Sequence, residues 1–294
     1  MSGAGQPVAG LAGLLLLVAT ATGCGRAEPE PETLLVVATL PPLAALAAEV
    51  GGEGIEVRAL LGPRDDPEAS PFSMEALRTL ARADLVVAVG SPALAAEHEL
   101  LATLDPRRGD RTVLLCEAAA GCGGGPVHDG ASGDPHLWLD PEVMVAAARR
   151  LAGALARLEP ERALGLERRT ADRERRVGAA DARIRERLAP LAGGLLFVEH
   201  PTWERFASRY GIRQLALERE EREPTPRGIR AAIDEARHAR VRMLLVTAGG
   251  RNRLARTVAR ELDVPTVEVE PLAYDWLASL ERVATLVAAA PGPR

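Results

Sequence analysis

From Arg162 to Leu191 the chain reads RALGLERRTADRERRVGAADARIRERLAPL. The run is dense in Arg, Glu and Ala and has almost no strand character. Its sparse apolar positions, Leu166, Val177, Ile184 and Leu188, recur at helical spacing. That predicts one long helix lying on a surface, with the charge run as its solvated face. The apolar stripe is too thin to call for a coiled-coil partner. On both sides of this helix the pattern changes to short apolar runs alternating with amphipathic ones, and that alternation sets the fold.

Before it, LLVVAT (34–39), IEVRALLG (55–62), DLVVAVG (84–90) and RTVLLCE (111–117) are strand-length runs of the kind buried on both faces in parallel sheets. PLAALAAEVGG and SMEALRTLARA between them have helical composition, with Ser73 as the N-cap of the second. A further helix starts at Asp140 with Pro141 in its first turn. After the long helix, LLFVE (195–199), IRQLALE (212–218), VRMLLVT (241–247) and PTVEVEPL (265–272) are strands. TWERFASRYG, RGIRAAIDEARHA and RNRLARTVARELD are the helices between them. The fold class is therefore α/β: two similar lobes, each a parallel-rich sheet flanked by helices, joined by one long connecting helix. The boundaries are an N-terminal lobe over 33–158, the connecting helix over 159–191 and a C-terminal lobe over 192–294. A single stiff connector limits hinge closure, so small lobe movement is expected.

Residues 1–24 stand apart from the fold. LAGLLLLVATATGC is too short for a comfortable membrane span and fits the apolar core of a secretion signal. Ala21, Thr22 and Gly23 before Cys24 resemble the lipobox of bacterial lipoproteins, in which the cysteine is lipidated. Residue 21 is Ala where Leu is usual, and the first ten residues carry no Lys or Arg. Ordinary cleavage or an unprocessed anchor are the alternatives, and all three export the protein. The tether over 25–32 is Pro- and Glu-rich, with nothing to bury. Of the remaining cysteines, Cys116 and Cys122 flank a bendable Ala/Gly stretch and are expected to form a disulfide in an oxidising compartment. Free thiols or soft metal ligands are the other readings.

The composition narrows the function. Hydrophobic residues make up 47% and aromatics 3%, so Ala, Leu and Val must build the core. All 36 basic residues are Arg, and the net charge of −5 argues against a dedicated nucleic-acid binder. The chain has no His-Glu-x-x-His, no Gly-x-Ser-x-Gly, no phosphate-cradling Gly loop and no Cys–His nucleophile pattern, so it does not read as an enzyme.

Ligands of open α/β sheets collect beyond the carboxyl ends of the strands. Following each strand outward yields Glu68, His136, His200 and Asp275, two from each lobe. They lie far apart in sequence, as a site shared by two lobes requires. Imidazole nitrogen and carboxylate oxygen together suit Zn²⁺, Mn²⁺ or Fe²⁺. His128 reads as loop-exposed, and His98 and His238 sit in solvated helical stretches.

The chain resembles the zinc/manganese-binding solute-binding proteins of bacterial metal ABC importers, over roughly residues 33 to 290. The resemblance is carried by DPHLWLDP (134–141), FVEHPTWERFASRYG (197–211), EPTP (223–226) and the long central helix. It implies that His136 and His200 are metal ligands at the lobe interface. It also implies that an Asp before the last helix, here Asp275 with Glu270 as the substitute, is another. Where the family carries Asp-Pro-His in its first third, this chain reads Asp-Pro-Glu, so Glu68 stands in the position of a ligand His. The implied function is capture of a divalent metal outside the cytoplasm and delivery to a membrane permease. The chain would act as a monomer, periplasmic or held to the membrane by a lipid anchor. Zinc is the first expectation, with manganese or iron next. The alternative that the Glu68 substitution raises is a homologue that has lost its metal and acts as a surface adhesin.

Overall fold

The computed structural model describes Met1, Gly3 and residues 33–105, 111–119, 133–218, 225–250 and 252–290. The signal, Cys24, the tether, Cys122 and His128 fall outside these residues.

Residues 33–290 build two parallel sheets of four strands each. The first contains β1 (Leu34–Ala38), β2 (Ile55–Ala59), β3 (Leu85–Ala88) and β4 (Thr112–Leu114), in the order β2-β1-β3-β4. The second contains β5 (Leu195–Val198), β6 (Arg213–Ala216), β7 (Leu244–Thr247) and β8 (Thr266–Val269), in the order β6-β5-β7-β8. The order is the same in both halves, as the repeated sequence pattern implied. In each sheet the chain runs outward from a central strand and then returns to that strand's other side. The crevice where an open α/β sheet binds its ligand therefore lies above β1/β3 and above β5/β7.

The helices are α1 (Pro41–Gly51), α2 (Met74–Ala81), α3 (Ala95–Ala102), α4 (Pro141–Leu158), α5 (Ala163–Leu188), α6 (Glu204–Arg209), α7 (Pro226–His238), α8 (Arg253–Leu262) and α9 (Trp276–Ala289). Several start where the sequence marks a cap. The Ser73 hydroxyl accepts from Ala76 N, Asp140 from Glu142 N and Thr225 from Gly228 N, with Pro141 and Pro226 in the first turn. One local reading is corrected. β4 ends at Leu114, and Leu115–Ala118 turns into a 3-10 helix instead of extending the strand to Glu117. Helix α3 lies where His98 was read as part of a helical stretch, although its eight residues carry no apolar periodicity to mark its ends.

The long helix α5 has 26 residues, about 39 Å at 1.5 Å per residue. Leu166, Val177, Ile184 and Leu188 are buried, as their spacing predicted. Arg173, which looked like part of the solvated face, is buried too. Its guanidinium pairs with Glu49 of α1 and lies over the Trp276 ring of α9, 5.2 Å from the centroid. Burial pulls it below the ordinary arginine range against the opposing pull of Glu49. Helix α5 thus packs on α1 and α4 of the first half and on α9 of the second. One apolar cluster runs through β1, β3, α1, α4, α5, β5, α6 and α9. A core shared in this way makes hinge opening costly, because separating the halves would expose it.

Candidate metal centre

Glu68 lies in the loop between β2 and α2. Its two acidic neighbours bind the loop's own backbone: Asp65 Oδ2 accepts from Gly62 N at 2.7 Å and Asp66 Oδ1 from Glu68 N at 2.9 Å. These turns hold the loop in shape and leave Glu68 as the carboxylate that points inward. His136 lies just before the 3-10 turn Leu137–Leu139 and is 2% exposed. Asp134 Oδ1 accepts from both His136 N, at 2.9 Å, and Nδ1, at 2.7 Å. That bond fixes the tautomer and leaves Nε2 as the free ring atom. Arg205 of α6 donates to the Asp134 carbonyl at 3.3 Å, and Trp138 Nε1 donates to the Pro271 carbonyl at 2.9 Å. The first half's histidine loop is in this way bonded to the second half. His200 follows β5, with Nδ1 3.3 Å from Glu218 Oε2 at the end of β6.

The three groups meet around one point. Glu68 Oε1 is 3.2 Å from His136 Nε2, and Glu68 Oε2 is 3.3 Å from His200 Nε2. The two imidazoles are 5.9 Å apart, nearly edge to face. One donor atom from each residue lies within 4.8 Å of the other two. Glu68 Oε1 is buried, and although it is close to His136 it has no aligned hydrogen bond. A largely buried carboxylate whose two oxygens each face a ring nitrogen suits a cation between them. Ligand distances of about 2.0–2.2 Å would need only a small contraction of the cluster.

Electrostatics tell the same story. Burial works to raise the Glu68 carboxyl, but the two imidazoles outweigh it and hold it well below the usual carboxylate range. Burial works to lower His200, but Glu218 and Glu68 push it up to about 10. His136 is raised by Asp134 and Glu68 against burial. Glu199 is pushed up to about 7 by burial and by the charge of Glu218. Without metal, the carboxylates beside each imidazole favour its protonated form. A metal would take the place of those protons.

The sequence reading placed four residues here, and the structure brings three of them together. Asp275 does not reach the cluster. It is exposed at the N-cap of α9, where its Oδ1 accepts from Ala278 N at 3.2 Å, and Glu270 is exposed as well. The helix begins at Trp276, so the carboxylate is used by the helix end. His98 and His238 are exposed on α3 and α7. Cys116 is disulfide-bonded; its expected partner, Cys122, is outside the described residues. The reading missed Glu218, although it is the last residue of the quoted run IRQLALE. Asking what ends that strand would have found it. Arg205 and the Trp138–Pro271 bond had no sequence signal.

A cavity of about 240 Å³ adjoins the cluster, with His136, His200, Glu199 and Glu218 in its wall.

Among known proteins, the manganese-binding lipoprotein MntA of Bacillus subtilis (strain 168) is 22% identical over 213 residues, covering 71% of this chain and 69% of that one. The zinc-binding lipoprotein AdcA of Streptococcus pneumoniae serotype 4 is 22% identical over 260 residues, 85% of this chain, which spans about half (52%) of AdcA. The solved periplasmic zinc binding protein TroA from Treponema pallidum superposes with a TM-score of 0.78 at 17% identity, covering 88% of this chain and 99% of that one. That likeness shows the two-lobed fold with its long connecting helix. The family model for zinc-uptake complex component A, periplasmic, matches residues 36–289, which takes in both sheets, the connecting helix and all three clustered donors, and the chain belongs to that family, ZnuA.

Proposed function

We propose that this protein captures a divalent metal ion outside the cytoplasm and hands it to the membrane permease of an ABC importer. The observation that carries the reading is the Glu68–His136–His200 cluster, three donors converging between the two halves of the fold. Relatives whose names record zinc or manganese binding support it. Zinc is the metal proposed, because two imidazoles and a carboxylate match its ligand preferences. The carboxylate in place of a third imidazole brings manganese and iron closer than a three-histidine site would. The metal is cargo, so the site needs only to bind and release, and the continuous core means release with little lobe rotation. Export follows from residues 1–24, with Cys24 as the lipid attachment point and the tether over 25–32 as the spacer. The working unit is a monomer.

The test is to purify the protein without chelator or metal-affinity resin and measure zinc, manganese and iron by elemental analysis. About one metal per chain, lost in His136→Ala, is the expected result. A chain that arrives metal-free and shows no rise in melting temperature with added zinc or manganese would instead support the adhesin alternative.

A further inference from the structure

We propose that the metal is held with coordination positions open to the adjoining cavity, and that a small neutral nitrogen-donor chelator of amino-acid size enters there and completes the shell. The proposal rests on the metal-binding reading above and specifies the form in which the cargo is carried.

Divalent ions of this class take four to six ligands. Among the described residues, no fourth His, Cys, Asp or Glu joins Glu68, His136 and His200. Two neighbouring carboxylates face the ring nitrogens opposite the donors. Asp134 is bonded to Nδ1 of His136 and Glu218 faces Nδ1 of His200, so each lies on the far side of its ring from the Nε2 donor. Two imidazoles and one carboxylate are the donor set that leaves adjacent positions open on a metal. Here both imidazoles also form part of the cavity wall. At about 240 Å³ the cavity is about eight times the volume of a liquid water, enough for an amino acid.

The wall chemistry selects the ligand class. Glu199, Glu218, Asp65 and Asp66 line the cavity together with Arg64. This excess of carboxyl groups disfavours an anionic chelator such as citrate. Trp138, packed against His136 with ring centroids 5.2 Å apart, and Leu272 add apolar surface to the lining. A neutral imidazole or amine donor meets both conditions and adds no negative charge.

The experiment loads the purified protein with cobalt(II) alone, follows its visible absorption, and then adds free histidine, imidazole or citrate. Equilibrium dialysis counts the cobalt and labelled histidine that stay bound. The expected result is retained cobalt, a changed spectrum and one histidine per metal, with histidine held at least roughly tenfold tighter than citrate. Ala248 also lines the cavity and is not one of the three donors; Ala248→Phe, which narrows the cavity, should keep the cobalt and weaken histidine binding by roughly tenfold or more. Retained cobalt with an unchanged spectrum would mean that a protein donor closes the shell and would overturn the proposal. So would cobalt stripped by histidine with no ternary complex. If cobalt alone never binds, the metal-binding reading itself falls, an outcome distinct from the other two.

Discussion

The two halves of the molecule use the same backbone at the same place for different ends. In the first, Thr39 N donates to Val87 O, Leu60 N to Ala38 O and Leu61 N to Thr39 O. In the second, Glu199 N donates to Leu245 O, Leu217 N to Val198 O and Glu218 N to Glu199 O. The patterns superimpose, so Leu40 corresponds to His200 and Leu61 to Glu218. In the first half these positions are core, 1% and 6% exposed. In the second they are a histidine of the three-residue cluster and the carboxylate that faces its Nδ1. The first half instead supplies its members of the cluster from loops, Glu68 beyond β2 and His136 beyond β4. Strand ends of an α/β sheet are therefore positions of opportunity. What each becomes depends on its side chain and on what packs above it.

The difference can be broken most severely at His136. His136→Ala should lower zinc affinity by more than about a hundredfold, beyond what loss of an outer partner costs, in a competition titration. On the apolar side of the comparison, Leu61→Ala should cost about 2–4 kcal/mol of stability in denaturant unfolding while zinc stoichiometry stays at its original value. If Leu61→Ala lost zinc as well, the two halves would not divide the work as described. The corresponding position, Glu218, should behave in the opposite way: Glu218→Gln should weaken zinc by about 10–100-fold with little change in stability.

The same pairing predicts a pH dependence. The folded, metal-free chain holds His200 at about 10, above its unfolded value of about 6.5. The stabilisation from this raised group is whole below about pH 6.5 and is lost as pH rises through about 10. Zinc needs neutral imidazoles, so binding expels protons. Affinity should climb by up to about tenfold per pH unit for each proton displaced, between about pH 6 and about pH 8. A flat profile would show that the imidazoles are neutral before metal arrives. The smallest effect belongs to Asp275→Ala. It should remove a helix cap worth about 1 kcal/mol, seen in the melting temperature, and leave zinc affinity unchanged. A large loss of affinity would make Asp275 a ligand after all.

Much of this molecule was written locally. Alternating apolar runs, helix starts at Ser73 and Asp140, and a charged run between Arg162 and Leu191 are short-range signals. Strand and helix formation respond to short-range signals, so the two α/β halves and their connector could be read directly. His136 and His200 could be singled out as candidates because ligands of open sheets collect beyond the strand ends. What the tertiary structure alone decided was which side chains share a point in space. It buried Arg173 between Glu49 and Trp276, set Glu68 between two imidazoles and engaged Asp275 in the cap of α9. Those outcomes depend on contacts between residues more than sixty positions apart or on the exact turn at which a helix begins, and no local pattern in a chain encodes either.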